Sequence, residues 1–185
     1  MTRNKFLKWS FALAPLRLFR KTLNISMIEE RDRKLAEDVL NRLFKDSSVA
    51  GLRFFIPQLL LEGPKDICQD GYINLTSDWD LFSSMPGEFP EHFKELTLEE
   101  QEIKLHKLRG EQVEKVEILS PWPHLVVHFK SGKVLCMNGK DKQYEPWTAG
   151  LTSFGIDSDQ WLVAACPDGG LAVWVPEGWQ GSENV

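Results

Sequence analysis

The spacing of apolar residues changes from helical to alternating along this chain, and each change marks an element. Between Met27 and Phe44, Ile28, Leu35, Val39, Leu40, Leu43 and Phe44 fall largely on one side of a helical wheel, while Glu29, Glu30, Arg31, Asp32 and Arg33 are directed to water. Ser26 and Glu29 have capping-box spacing, so a helix is expected from about Met27, within a helical region 27–46. Val49 to Leu61 is strongly apolar, but Pro57 divides it into a short strand or turn and a second buried piece. Residues 62–96 hold no sustained period and read as a long irregular connection, with Tyr72 to Leu75 as a candidate short strand. Thr97 and Glu100 repeat the capping box, predicting a second helix over 97–109 that Gly110 stops.

From 113 to 176 the pattern is that of strands. Val113, Val116 and Ile118 begin the first, and His124 to Phe129 alternates as the second. Ser131-Gly132 leads into Lys133 to Met137, and Asn138-Gly139 is the expected type I′ hairpin turn before a strand from Gln143 to Trp147. Trp161 to Cys166 is continuously apolar, as for a strand covered on both faces, and Pro167-Asp168-Gly169 returns the chain through Leu171 to Val175. The pattern predicts an α+β fold: an antiparallel β-meander of about six strands in the C-terminal part, two main helices and the irregular connection. Residues 23–185 form one domain behind an extension, 1–22.

Composition sharpens the picture through charge. Hydrophobic residues at 42% and charged residues at 26% exclude wholesale disorder. Of 22 basic residues six fall in 1–22, which has no acid, so the remainder carries 16 basic against 27 acidic residues. Such a body repels nucleic acid and favours basic partners. Three readings of 1–22 stand: a helix lying on anionic lipid, a tail packed on the acidic body, or a leader upstream of a true start at Met27. Three cysteines with no Cys-x-x-Cys spacing fit a reducing compartment, and no apolar run reaches the roughly 20 residues that span a bilayer. A cytoplasmic or membrane-peripheral location follows.

The candidate chemistry is sparse. On a strand, His124 and His128 stand about 13 Å apart, too far to hold one ion, so both are expected on the solvent side of the sheet. Asp78/Asp80 and Asp157/Asp159 lack the continuation of a calcium loop, Gly169-Gly170 has no following helix, and Cys166 reads as core. No cofactor or metal is expected. The aromatic and acidic residues are the remaining signal. Trp122, His124, His128, Tyr144, Glu145 and Trp147, with Asp78, Trp79 and Asp80 from the connection, are the candidate contact residues. An enzyme using Glu145 with His124, a carbohydrate- or peptide-binding surface, or a membrane-peripheral accessory protein held by residues 1–22, are the alternatives.

Leu108-Arg109-Gly110, His124-Leu125 to Phe129, Gly132, Asn138-Gly139, Tyr144-Glu145-Pro146-Trp147 and Pro167 to Trp174 together resemble small bacterial immunity-like proteins encoded beside secreted toxins. The resemblance covers about a third of the chain. It implies a non-catalytic cytoplasmic protein that neutralises a basic toxin.

Overall fold

The computed structural model describes residues 28–54, 57–63, 66, 69–152 and 161–179. The Ser26 cap, the extension 1–22 and the pair Asp157/Asp159 lie outside them. Helix α1 runs over Glu30–Phe44 and starts at Glu29, which makes no side-chain cap hydrogen bond. It buries Val39, Leu40, Leu43 and Phe44 of the stripe that the spacing defined, with Ala36 beside them, while Leu35 is half-buried. Helix α2, Leu98–His106, has the full capping box: Glu100 N–H donates to the Thr97 hydroxyl, and the Glu100 carboxylate accepts from Thr97 N–H.

Six strands follow residue 113: β5 Val113–Leu119, β6 His124–Phe129, β7 Val134–Met137, β8 Trp147–Leu151, β9 Leu162–Ala165 and β10 Leu171–Trp174. Five stand where they were expected, whereas the one expected over Gln143 to Trp147 begins only at Trp147, because Gln143 and Tyr144 are held in a turn by Asp141. They do not form one meander. They are shared between two antiparallel sheets that the first half of the chain completes with β1 Val49–Arg53, β2 Gln58–Leu61, β3 Gly71–Leu75 and β4 Trp79–Phe82. One sheet has the order β1-β2-β3-β8-β9-β10 and the other β4-β7-β6-β5. The connection 62–96 thus contains two strands: β3, which the Tyr72–Leu75 pattern marked, and β4, which lies where irregular chain was expected.

The division occurs at Asn138-Gly139. Neither residue takes a positive φ, so no type I′ turn forms, and the chain leaves β7 for the other sheet. A Cβ on Gly139 would sit 2.1 Å from the Pro123 carbonyl oxygen. Glycine stands here for a close backbone approach, not for a hairpin.

The main core joins α1 to the inner faces of both sheets, through residues such as Phe44, Leu61, Ile73, Leu125, Phe129, Met137, Trp147 and Val163. Arg33, counted with the water-facing residues in the sequence pattern, belongs to a polar ladder on α1 that closes the β5 edge. The Asn41 carboxamide bonds both Val116 N–H and C=O (2.9 and 2.8 Å), Glu37 accepts from Ile118 N–H (2.8 Å), and Arg33 donates to Ile118 C=O (3.3 Å). Strand groups that would otherwise invite another chain are therefore paired internally. The other face of the four-stranded sheet holds a smaller cluster, Val126, Val134 and Cys136, covered by Phe82, Phe89, Phe93 and Leu119. No helix among the described residues is long and apolar enough to cross a membrane.

Candidate functional site

The crossover from β7 to β8, residues 138–146, gathers most of the candidate contact residues. It is pinned at both ends. Asn138 N–H donates to Asp78 C=O (2.8 Å), and Ser77 N–H donates to Pro146 C=O (2.9 Å). In between, the Asp141 carboxylate accepts from Gln143 N–H (2.7 Å) and Tyr144 N–H (2.9 Å), a local turn that holds its pKa below the usual carboxylate range. Asp141 C=O accepts from Asp168 N–H (3.1 Å), so the tip of the β9–β10 hairpin leans on the same loop. Tyr144 is held up by these bonds with 70% of its surface exposed, beside an exposed Glu145.

Two clefts flank this ridge and share Asn138 and Lys140 as a wall. One, of about 470 Å³, is lined by Trp122, His124, Phe89, His92 and Glu91 among others. The second, of about 370 Å³, is more polar and includes Asp78, Lys94, Gln101 and Asp141. The Lys140 ammonium lies 5.4 Å from the Trp122 ring centroid, within reach of a cation–π attraction.

His124 is a structural part of the first cleft. Its ring stacks on Phe89 with centroids 4.1 Å apart, and its Nδ1 accepts from Gly139 N–H (3.0 Å). An accepting Nδ1 places the proton of the neutral ring on Nε2. Burial, reinforced by the positive charge of Lys140, lowers the His124 pKa to about 4. At neutral pH the ring is an uncharged hydrogen-bond donor.

The remaining candidates sort differently. Trp79 and Trp147 are core residues, not surface anchors; Trp147 is fully buried with its Nε1–H donated to Pro123 C=O (2.7 Å). The physical reason is their inward register, with Trp79 opposite Met137 in one sheet and Trp147 opposite Leu75 in the other. Asp80 is taken up by Leu81 N–H (2.6 Å) and by Lys104 of α2. His128 contacts Glu117 (2.6 Å) near the far end of β6 and is half-buried, as is His124. The solvent-side reading of the two histidines fails because their face also carries the fully buried Val126, over which Phe89 and Phe93 close. Burial works against ionising Glu117, but hydrogen bonds from Lys115 and His128 and their charges hold its pKa below the ordinary value.

Trp122, His124, Asp78, Tyr144 and Glu145 thus collect around residues 138–146, and the buried Trp79 borders the second cleft beside Asp78, whereas Trp147, Asp80 and His128 line neither cleft. The pattern missed Phe89, His92, Lys140 and Asp141. Of these only Asp141 was signalled, by the tendency of Asp to cap a turn two residues on. Burial, then the Asp80 charge, pushes the Cys136 thiol up to about 12, so it is no nucleophile at neutral pH. Among the described residues no three His, Cys, Asp or Glu side chains converge to hold a metal ion. No protein-family model, curated protein or solved structure matches this chain.

Proposed function

We propose that this chain is a non-catalytic binding protein for a basic protein partner, with the 138–146 ridge as its recognition surface. One observation carries the reading. Tyr144 is a large aromatic displayed to solvent on a loop whose backbone is fixed by Asp141, with Glu145 next to it. A pre-ordered exposed aromatic loses little entropy on binding, which is the property of an interface anchor. The acidic surplus beyond residue 22 supplies long-range attraction for a basic partner. Two groups that an enzyme would draw on are engaged in packing: His124 by Phe89 and Gly139, Cys136 by the outer cluster.

Immunity-like neutralisation of a cationic toxin in the cytoplasm is the specific form of this reading, supported by the resemblance of the C-terminal part to such proteins. The test is co-expression with the product of the adjacent gene. Rescue of growth and a complex that survives gel filtration at low salt, weakening as salt rises, are the expected results. No rescue and no complex at any salt, with both proteins folded, would overturn the proposal.

A further inference from the structure

Each antiparallel sheet ends in two edge strands, and three of the four are closed by identifiable means. The β5 edge is bonded by Arg33, Glu37 and Asn41 of α1. The β4 edge is blunted at Leu81, whose N–H turns to the Asp80 carboxylate beside Lys104. The β1 edge is stitched at Val49, whose N–H donates to Glu111 C=O and whose C=O accepts from Gly110 N–H (2.9 Å each). Beyond Val49 its register is broken by a bulge before Gly51.

Strand β10 carries none of these devices. It pairs with β9 without a register shift over Leu171–Trp174. Cys166 N–H donates to Gly170 C=O, which sets the alternation along the pair. Ala172 and Trp174 direct their N–H and C=O toward β9, and Leu171 and Val173 direct theirs away from it. Among the described residues, neither of these outward N–H groups has a hydrogen-bond partner. Trp174 is 46% exposed on the same strand. The hairpin tip at Asp168 abuts the Tyr144 loop, so this edge is continuous with the recognition surface.

We infer that β10 binds an extended, basic segment of a partner protein as an added antiparallel strand, an inference that rests on the protein-binding reading above. Backbone groups of Leu171 and Val173 supply the pairing, and Trp174 a side-chain contact. Charge selects the occupant. The exposed acids Asp168 and Glu177 bracket the strand, and Glu145 lies by the hairpin tip. A second copy pairing antiparallel through its own β10 would bring Asp168 toward Glu177 at both ends, which is repulsive. A segment carrying Lys or Arg meets attraction there instead.

Amide hydrogen exchange of the full chain tests this, with two synthetic peptides as probes: alternating Lys-Val and alternating Glu-Val, seven residues each and blocked at both ends. In the free chain Leu171 and Val173 amides should exchange rapidly while Ala172 and Trp174 are protected. The Lys-Val peptide should slow Leu171 and Val173 by about tenfold or more at low salt, and the Glu-Val peptide should leave them unchanged. Val173→Pro, which removes an outward N–H, should abolish the effect; should that variant not fold, Leu171→Pro serves the same end. Equal protection by both peptides, or by neither, overturns the inference. So does protection already present in the free chain, which would mean a covering segment of its own, or protection that rises with protein concentration alone, which would mean a second copy. A chain that still complexes the adjacent-gene product, with these amides exposed, would lose the strand-addition mode but keep the binding function.

Discussion

The Gly139 amide and the His124 ring determine each other. Gly139 must be glycine because Pro123 and His124 backbone atoms occupy the space of a Cβ, and the amide that comes so close finds His124 Nδ1 as its acceptor. A protonated ring cannot accept that bond, and burial against Phe89 penalises the charge further. The folded pKa of about 4 lies below the ordinary 6.5, so the unfolded chain takes up this proton first as pH falls. The stabilisation is complete above about pH 6.5 and is lost progressively as pH drops toward 4. Because the ring is partly exposed, its size is on the order of 1–3 kcal/mol. His124→Phe keeps a ring on Phe89 without a titrating group. Its Tm should therefore fall less between pH 7 and pH 4.5 than that of the parent chain; identical pH slopes would refute the assignment.

At the scale of elements, α1 acts both as a packing helix and as the closure of a sheet edge. Asn41 presents a carboxamide that mimics a strand's own donor and acceptor to Val116. Asn41→Ala should cost about 1–3 kcal/mol in chemical denaturation, because it leaves two half-sheltered backbone groups unpaired. A loss well below that range would show that water replaces the carboxamide without penalty. This role was not legible in the sequence, where Arg33, Glu37 and Asn41 look like any polar side of an amphipathic helix. The α2 capping box and, apart from β8, the strands from Val113 to Trp174 were legible, since each depends on local spacing that the structure keeps. Strand β4 was not, because four residues among Asp, Ser and Gly show too little alternation. Asn138-Gly139 misled for a different reason: glycine serves close approach as well as positive φ, and sequence does not separate the two. The same limit applied to tryptophan. Trp79 and Trp147 went inward and Trp122 and Trp174 partly outward, on registers that only the sheet pairing fixes.

For the whole molecule, the crossover from one sheet to the other is the organising feature. It places Trp122, His124 and Asp78 around Asn138–Lys140, raises Tyr144 and Glu145 beside them, and sets the β9–β10 hairpin against the same loop. The surface so formed is aromatic and of mixed charge, with Lys140 and Lys142 beside Asp141 and Glu145, and the acidic surplus belongs to the chain beyond residue 22 taken as a whole. Binding of a basic protein by this ridge is open to direct measurement. The most direct measurement is calorimetric titration of the adjacent-gene product into the full chain, into the Tyr144→Ala/Glu145→Lys double variant, and into His128→Ala. Recognition through Tyr144 and Glu145 requires at least about a tenfold loss of affinity for the double variant, or ~1.4 kcal/mol, and no change for His128→Ala. Equal affinities for the double variant and the parent chain would contradict it.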